Sequence, residues 1–93
     1  MTVGILTLRL VIRQATSLKD KRRVVQSVLE RVRQRFNVCA IESGTRDARQ
    51  QATLCFAALG DDRRRVESTL TQIVNAIRLR QDAELVDFDI QTL

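Results

Sequence analysis

The chain has 93 residues and a formal net charge of +5; 44% of its residues are hydrophobic and 29% are charged, which is typical of a globular domain. It contains no proline and only three glycines, so no linker is visible and we expect one domain over residues 1–93. Histidine, the usual acid–base group at neutral pH, is absent, and the two cysteines form neither a disulfide framework nor a CxxC pair. These features favour a protein that is not an enzyme and holds no metal or cofactor.

Residues 3–13 predict the first β-strand. Every even-numbered position from 6 to 12 is leucine or isoleucine, whereas Thr7, Arg9 and Arg13 lie on the other face, as in a strand with one buried side. The apolar start lacks a basic leader and a cleavage site, so we interpret it as a strand and not as a signal peptide. No apolar run approaches the roughly 20 residues that span a bilayer, and we expect a cytoplasmic protein without a membrane partner.

A helix follows this strand. Ser17 at the N-cap with Asp20 three residues later is a capping pattern, and Asn37 ends the helix. Apolar residues recur at helical spacing along one stripe: Leu18, Val25, Val28, Leu29, Val32 and Phe36. Lys21 falls near this stripe, so we expect its ammonium group to leave the core past the end of the sheet.

Two further strands form a predicted hairpin with a polar loop between them. Residues 38–41 are the outgoing strand and residues 52–59 are the returning strand. The expected register places Cys39 opposite Cys55, with both thiols on the sheet face away from the helices. Free thiols are the common state in the cytoplasm, so we expect them to stay unpaired.

The segment GDD at residues 60–62 ends the third strand and caps a second helix. The apolar stripe of this helix consists of Val66, Leu70, Ile73, Val74 and Ile77. Residues 85–93 then alternate again, and the pattern predicts that Val86, Phe88 and Ile90 face the core while the acidic residues between them face outward.

The predicted element order is βαββαβ, which defines an α+β fold of the ferredoxin-like type. In this fold the four strands form one antiparallel sheet in the order 4-1-3-2, and both helices cover the same face of the sheet. Each helix then connects two strands by a right-handed crossover.

This topology predicts a cluster of basic side chains at the end of the sheet where the first strand finishes, which we call the upper end. The first helix begins there, the hairpin loop lies there and the second helix ends there. The cluster consists of Arg13, Lys19, Lys21, Arg22, Arg23, Arg46 and Arg49, with Arg78 and Arg80 beside them. Arginine forks and the free N–H groups of a helix N-terminus bind phosphate, so we expect a nucleic-acid-binding site here.

The distribution of charge supports an anionic partner, although exposed basic side chains are often only solvated. Residues 1–60 carry 11 basic and 4 acidic side chains, whereas residues 61–93 carry 5 and 7. A second basic group is predicted at the opposite end, and we expect it to be solvated: Arg31, Arg33, Arg35, Arg63, Arg64 and Arg65. The charges therefore favour a protein that binds the phosphates of a nucleic acid.

The open sheet face and the loops bear on two other classes of function, an interaction module and an enzyme. All three phenylalanines are predicted on core positions, which argues against base stacking on this face. Its apolar positions, such as Ile5 and Val11, suit a homodimer interface, so the alternative is a protein- or small-ligand-binding module that dimerises. An acylphosphatase-like enzyme shares the topology, but its anion-binding loop is rich in glycine and residues 13–17 contain none.

Two segments carry a resemblance to a known family: SLKDKRRVV at residues 17–25 and RFNVCAIE at residues 35–42. They resemble the YlxP-like family of small bacterial proteins of unknown function, and the resemblance runs nearly end to end. It implies a ferredoxin-like domain whose genes often lie beside those for translation initiation and ribosome maturation, and it implies no catalytic residue. Together with the basic cluster, the resemblance makes a non-enzymatic RNA- or ribosome-associated binding protein the leading hypothesis. The family's hairpin loop often reads Asp-x-Trp-Gln, whereas Arg49 occupies the aromatic position here, which favours a role based on charge.

Overall fold

The computed structural model describes all residues from Met1 to Leu93 and contains six elements. They are β1 (Thr2–Val11), α1 (Leu18–Arg35), β2 (Cys39–Glu42), β3 (Gln51–Gly60), α2 (Arg63–Arg78) and β4 (Glu84–Thr92). The bounds lie within two residues of the predicted ones. Neither helix is both long enough and apolar enough to cross a lipid bilayer.

The four strands form one sheet in the order β2-β3-β1-β4, which is the predicted order read from the other edge. All three neighbouring pairs are antiparallel. The core lies between one face of this sheet and the two helices, because the even-numbered residues of β1 pack with the apolar stripes of α1 and α2. The ferredoxin-like α+β fold predicted from the sequence is confirmed.

Gly4 allows α2 to lie directly on β1. A Cβ atom at this position would be 2.5 Å from Cγ1 of Val66 and 2.9 Å from Cδ1 of Leu70. Both distances are too short for carbon atoms, so a side chain here would push the helix away from the strand. The close approach of α2 to β1 excludes solvent from the core at the end opposite the upper end, where Val66 and Leu70 are both buried.

The β2–β3 hairpin differs from its predicted register by two residues. Cys39 lies opposite Ala57, and Ile41 lies opposite Cys55. A shift of two residues keeps every side chain on its predicted face, so both cysteines lie on the open face as expected. They are not directly opposite each other, and both thiols are free.

A β-bulge in β4 makes one core prediction wrong. Arg9 pairs with Asp87 whereas Leu10 pairs with Leu85, so Val86 is an extra residue without a partner on β1. Leu85 consequently packs on the core and Val86 is exposed. The core prediction for Phe88 is also wrong, because this residue keeps its predicted face but is exposed at the sheet edge, with the guanidinium of Arg78 5.3 Å from its ring centroid.

Candidate nucleic-acid interface

Gln50 joins the hairpin loop to the segment that connects β1 with α1. The backbone N–H of Ile12 donates to the Gln50 carbonyl at 2.7 Å. The Gln50 side-chain amide donates to the carbonyls of Arg13 and Ala15 at 3.0 and 3.2 Å. These bonds place the start of α1 and the loop of residues 43–50 side by side, which assembles the upper end of the domain as the topology predicts.

The N-terminus of α1 is capped by its own residues. The Ser17 hydroxyl accepts a hydrogen bond from the Asp20 backbone N–H at 3.1 Å. The Asp20 carboxylate in turn accepts from the Thr16 hydroxyl at 2.7 Å and the Thr16 N–H at 3.1 Å. The two hydrogen bonds from Thr16 are the main cause of the lowered pKa of Asp20, and Ser17 and the positive charge of Arg23 lower it further. Asp20 is therefore an ionised cap beside the basic cluster.

Lys21 points into the protein and does not belong to the anion-binding surface. Its side chain is 0% exposed, and its ammonium donates to the Glu42 carboxylate at 2.8 Å. It also reaches the carbonyls of Thr45 at 2.5 Å, Gln51 at 3.1 Å and, more weakly, Arg46 at 3.4 Å. An ammonium has three protons, and these partners use all of them. Lys21 is thus unavailable to a phosphate, contrary to its predicted role.

The groups around Lys21 hold the hairpin loop in one conformation. The Thr45 hydroxyl donates to the Glu42 carboxylate at 3.2 Å and accepts from the Thr53 N–H at 2.7 Å. The Ser43 N–H donates to the Thr53 carbonyl at 2.8 Å. Gly44 has a φ of 82°, a left-handed conformation that residues with a side chain rarely adopt. The loop is therefore organised by the residues that surround the buried ammonium.

Two arginines of the predicted cluster are neutralised by carboxylates. Arg13 pairs with Glu84 at 2.8 Å, and Arg80 pairs with Asp82 at 2.7 Å. Arg80 also donates to the Ser27 hydroxyl at 3.0 Å, and its hydrogen bond lowers the pKa of Asp82. Because their charges are already compensated, these arginines contribute less to anion binding than the sequence suggested.

Six of the predicted residues are exposed and form no ion pair: Lys19, Arg22, Arg23, Arg46, Arg49 and Arg78, the last with its guanidinium over the ring of Phe88. The structure brings the first three together on the solvent-facing surface of α1. Arg49 lines a separate hollow with Ala15 and Thr16, beside the start of the helix. The predicted cluster is thus divided between a helix surface and a loop.

The solvent-facing surface of α1 also includes Arg31, a residue that was predicted to lie at the opposite end of the domain. It follows Arg23 by about two turns and borders the same surface, so its relation to Arg23 could have been read from helical spacing. We call the surface formed by Lys19, Arg22, Arg23 and Arg31 the basic face of α1. Glu30 is the one acidic side chain that lines it.

The fold and the basic face define a small ferredoxin-like domain with one highly basic helix. Residues 3–90 match the model of the family described as "Protein of unknown function (DUF503)", and the chain belongs to this family. It is 33% identical over 72 residues to "Uncharacterized protein YlxP" of Bacillus subtilis (strain 168), a match covering 77% of this chain and 78% of that protein. The resemblance carried by the two sequence segments is confirmed.

One solved structure with a similar fold is "De novo designed protein Foldit4". The two structures have a TM-score of 0.55 and 19% sequence identity, over 100% of this chain and 97% of the designed one. This likeness concerns the fold alone.

Replacement of Lys21 by methionine should strongly destabilise the domain. The variant leaves the nearly buried Glu42 carboxylate without a counter-charge and three carbonyls without a donor, which costs about 3–5 kcal/mol for a buried pair. Urea unfolding followed by circular dichroism measures the loss. Adding Glu42→Gln should restore part of the stability, because the uncompensated charge is then removed. The control is Lys19→Met, at an exposed position of the same helix, which should change the free energy of unfolding by no more than about 0.5 kcal/mol. Equal effects of the two methionine variants would contradict the role assigned to Lys21.

The cap at Asp20 should make part of the stability depend on pH. The folded protein lowers the pKa of Asp20, so its stabilising effect is complete above the unfolded value of about 3.9 and is lost as the pH falls through the folded value. The urea midpoint of the wild type should therefore exceed that of Asp20→Asn at neutral pH, and the two should converge in acid. A difference that is constant from neutral pH to acid would show that the carboxylate charge contributes nothing.

Proposed function

We propose that this protein is a non-enzymatic, cytoplasmic RNA- or ribosome-associated protein that contacts phosphate through the basic face of α1. The observation that carries the proposal is the group of three exposed, unpaired cations, Lys19, Arg22 and Arg23, within the first two turns of the helix. Arg46 and Arg49 add charge from the adjoining loop.

The position of these cations supports an anionic ligand. The N-terminus of a helix carries a partial positive charge, so each cation near it lowers the stability of the helix by roughly 0.3–1 kcal/mol. Asp20 compensates only part of this, because it is the one acidic residue in the first turn of α1 and faces three cations. A phosphate bound to the basic face would relieve the repulsion among these side chains.

The composition of the basic face favours contacts with the phosphate backbone over contacts with bases. Its remaining side chains are Gln26, Ser27, Glu30 and Gln34, and none is aromatic. Stacking on aromatic rings is the usual basis of single-strand recognition without sequence preference. Binding through arginine and lysine instead depends on release of counterions, so affinity should fall steeply as the salt concentration rises.

Charge reversal on the basic face should weaken RNA binding. We expect Lys19→Glu/Arg22→Glu/Arg23→Glu to bind a fluorescein-labelled RNA hairpin at least about tenfold more weakly, with a shallower dependence of the affinity on salt, because about three phosphate contacts are lost. Fluorescence anisotropy at several salt concentrations measures both quantities.

The matched control is Arg63→Glu/Arg64→Glu/Arg65→Glu, at the opposite end of the domain. It changes the net charge by the same amount, and acidic residues are well tolerated in the first turn of α2. The control should retain most of the affinity. If both triple variants weaken binding equally, only overall charge matters and the basic face is not a binding site.

The second candidate function is an interaction module that dimerises through the open sheet face. Leu59 is 65% exposed and Ile41 is 54% exposed there, and the register places Ile5 and both cysteines among them. Exposed apolar side chains that adjoin in this way are typical of an interface between proteins. The upper part of the same face is polar, since Arg9 forms an ion pair with Asp87.

Under this candidate function, the wild type should be dimeric at micromolar concentration and Leu59→Lys should be monomeric, because a lysine ammonium cannot be buried in an apolar interface without a partner. Light scattering coupled to size-exclusion chromatography measures the mass. Gln72→Lys on the exposed side of α2 should leave the dimer intact. A monomeric wild type would eliminate this candidate.

A further inference from the structure

An apolar groove runs between the two helices, on the side of α1 that faces α2. It has a volume of about 300 Å³ and is lined by six apolar residues: Val28, Val32, Phe36, Ala76, Ile77 and Leu79. Val28, Val32 and Ile77 form its closed floor, because each of them is almost fully buried. Phe36 is half-buried, and Leu79 is 84% exposed at the mouth of the groove.

Three arginines surround this apolar floor, and no acidic residue lines the groove. Arg31 and Arg35 are exposed and form no ion pair, while Arg80 shares its charge with Asp82. The Arg35 guanidinium lies 5.2 Å from the centroid of the Phe36 ring, at the edge of the floor. The groove therefore combines apolar surface with uncompensated positive charge.

We propose that this groove binds an acidic amphipathic segment of a protein partner. An apolar side chain of the partner contacts Leu79 and Phe36, and carboxylates next to it pair with Arg31 and Arg35. The charge of the rim selects this occupant, because a neutral apolar peptide would leave the arginines without partners and a basic peptide would be repelled. Short amphipathic helices dock into grooves of this kind with their apolar face inward.

The groove is a separate surface from the basic face of α1. Lys19, Arg22 and Arg23 lie on the solvent-facing surface of the helix, and none of them lines the groove. Only Arg31 borders both surfaces. A phosphate backbone gains little binding energy from an apolar contact with Leu79. The proposal of a protein partner therefore does not depend on the RNA proposal.

The test uses two labelled synthetic peptides and the full chain. Both peptides are about 14 residues long, which gives about four helical turns, and carry leucine with helical spacing. One has glutamate at the other positions and the comparator has lysine there. At about 0.15 M salt, where charges are screened beyond about 8 Å, the acidic peptide should bind at least about tenfold more tightly in fluorescence anisotropy. Failure to bind, or equal binding of the two peptides, would overturn the proposal.

Single substitutions locate the peptide on the protein. Leu79→Asp and Arg35→Glu change exposed residues of the groove, and each should weaken binding of the acidic peptide by about fivefold or more. Arg23→Glu reverses the same charge on the same helix outside the groove, and should leave the affinity within about twofold. Circular dichroism checks that all three variants are folded. Equal losses in Arg35→Glu and Arg23→Glu would overturn the proposal, since attraction would then be non-specific.

Two further readouts separate the competing occupants. In Arg31→Gln, which removes the one cation common to both surfaces, the RNA hairpin added to the preformed peptide complex should not displace the acidic peptide; displacement would mean one shared surface and would overturn the separate site. Light scattering of the wild type and of Leu79→Asp should give the same mass. If the wild type self-associates and Leu79→Asp does not, the groove binds a second copy of this chain and the proposed partner is wrong.

Discussion

The buried ammonium of Lys21 is the interaction on which the upper end of the domain depends. It binds the carboxylate of Glu42 at the end of β2, the carbonyl of Gln51 at the start of β3 and the carbonyl of Thr45 between them. A charge removed from water is tolerated only when its hydrogen bonds are satisfied, and no buried side-chain nitrogen or oxygen in the domain lacks a partner. One side chain of α1 therefore links the upper ends of both hairpin strands and the loop between them.

This interaction accounts for one of the four basic residues at the start of α1. Successive residues of a helix are rotated by about 100°, so the stretch from Lys19 to Arg23 points in several directions. Lys21 faces inward and holds the loop, whereas Lys19, Arg22 and Arg23 face solvent and remain unpaired. Part of the density of charge is structural, and only the remainder is available to a ligand.

The two surfaces proposed for binding are opposite in character although α1 contributes to both. The basic face is polar throughout and suits a ligand of phosphates, while the groove beside α2 has an apolar floor with arginines only at its rim. Their common boundary at Arg31 means that a ligand on one surface lies near the other. A small domain with two helices on one side of a sheet thus offers separate sites without any additional element.

The sequence by itself determined the order of the elements, the face on which the residues of β1, β2 and β3 lie and the cap at Ser17, because alternation, helical spacing and capping are local patterns. Only the tertiary structure decided which cations are free. Lys21 meets Glu42 and Arg13 meets Glu84 because distant segments are brought together, and no local pattern reports such a meeting. The bulge at Val86 was invisible for the same reason: it depends on pairing with β1, and one extra residue changes the facing of the strand without changing its composition.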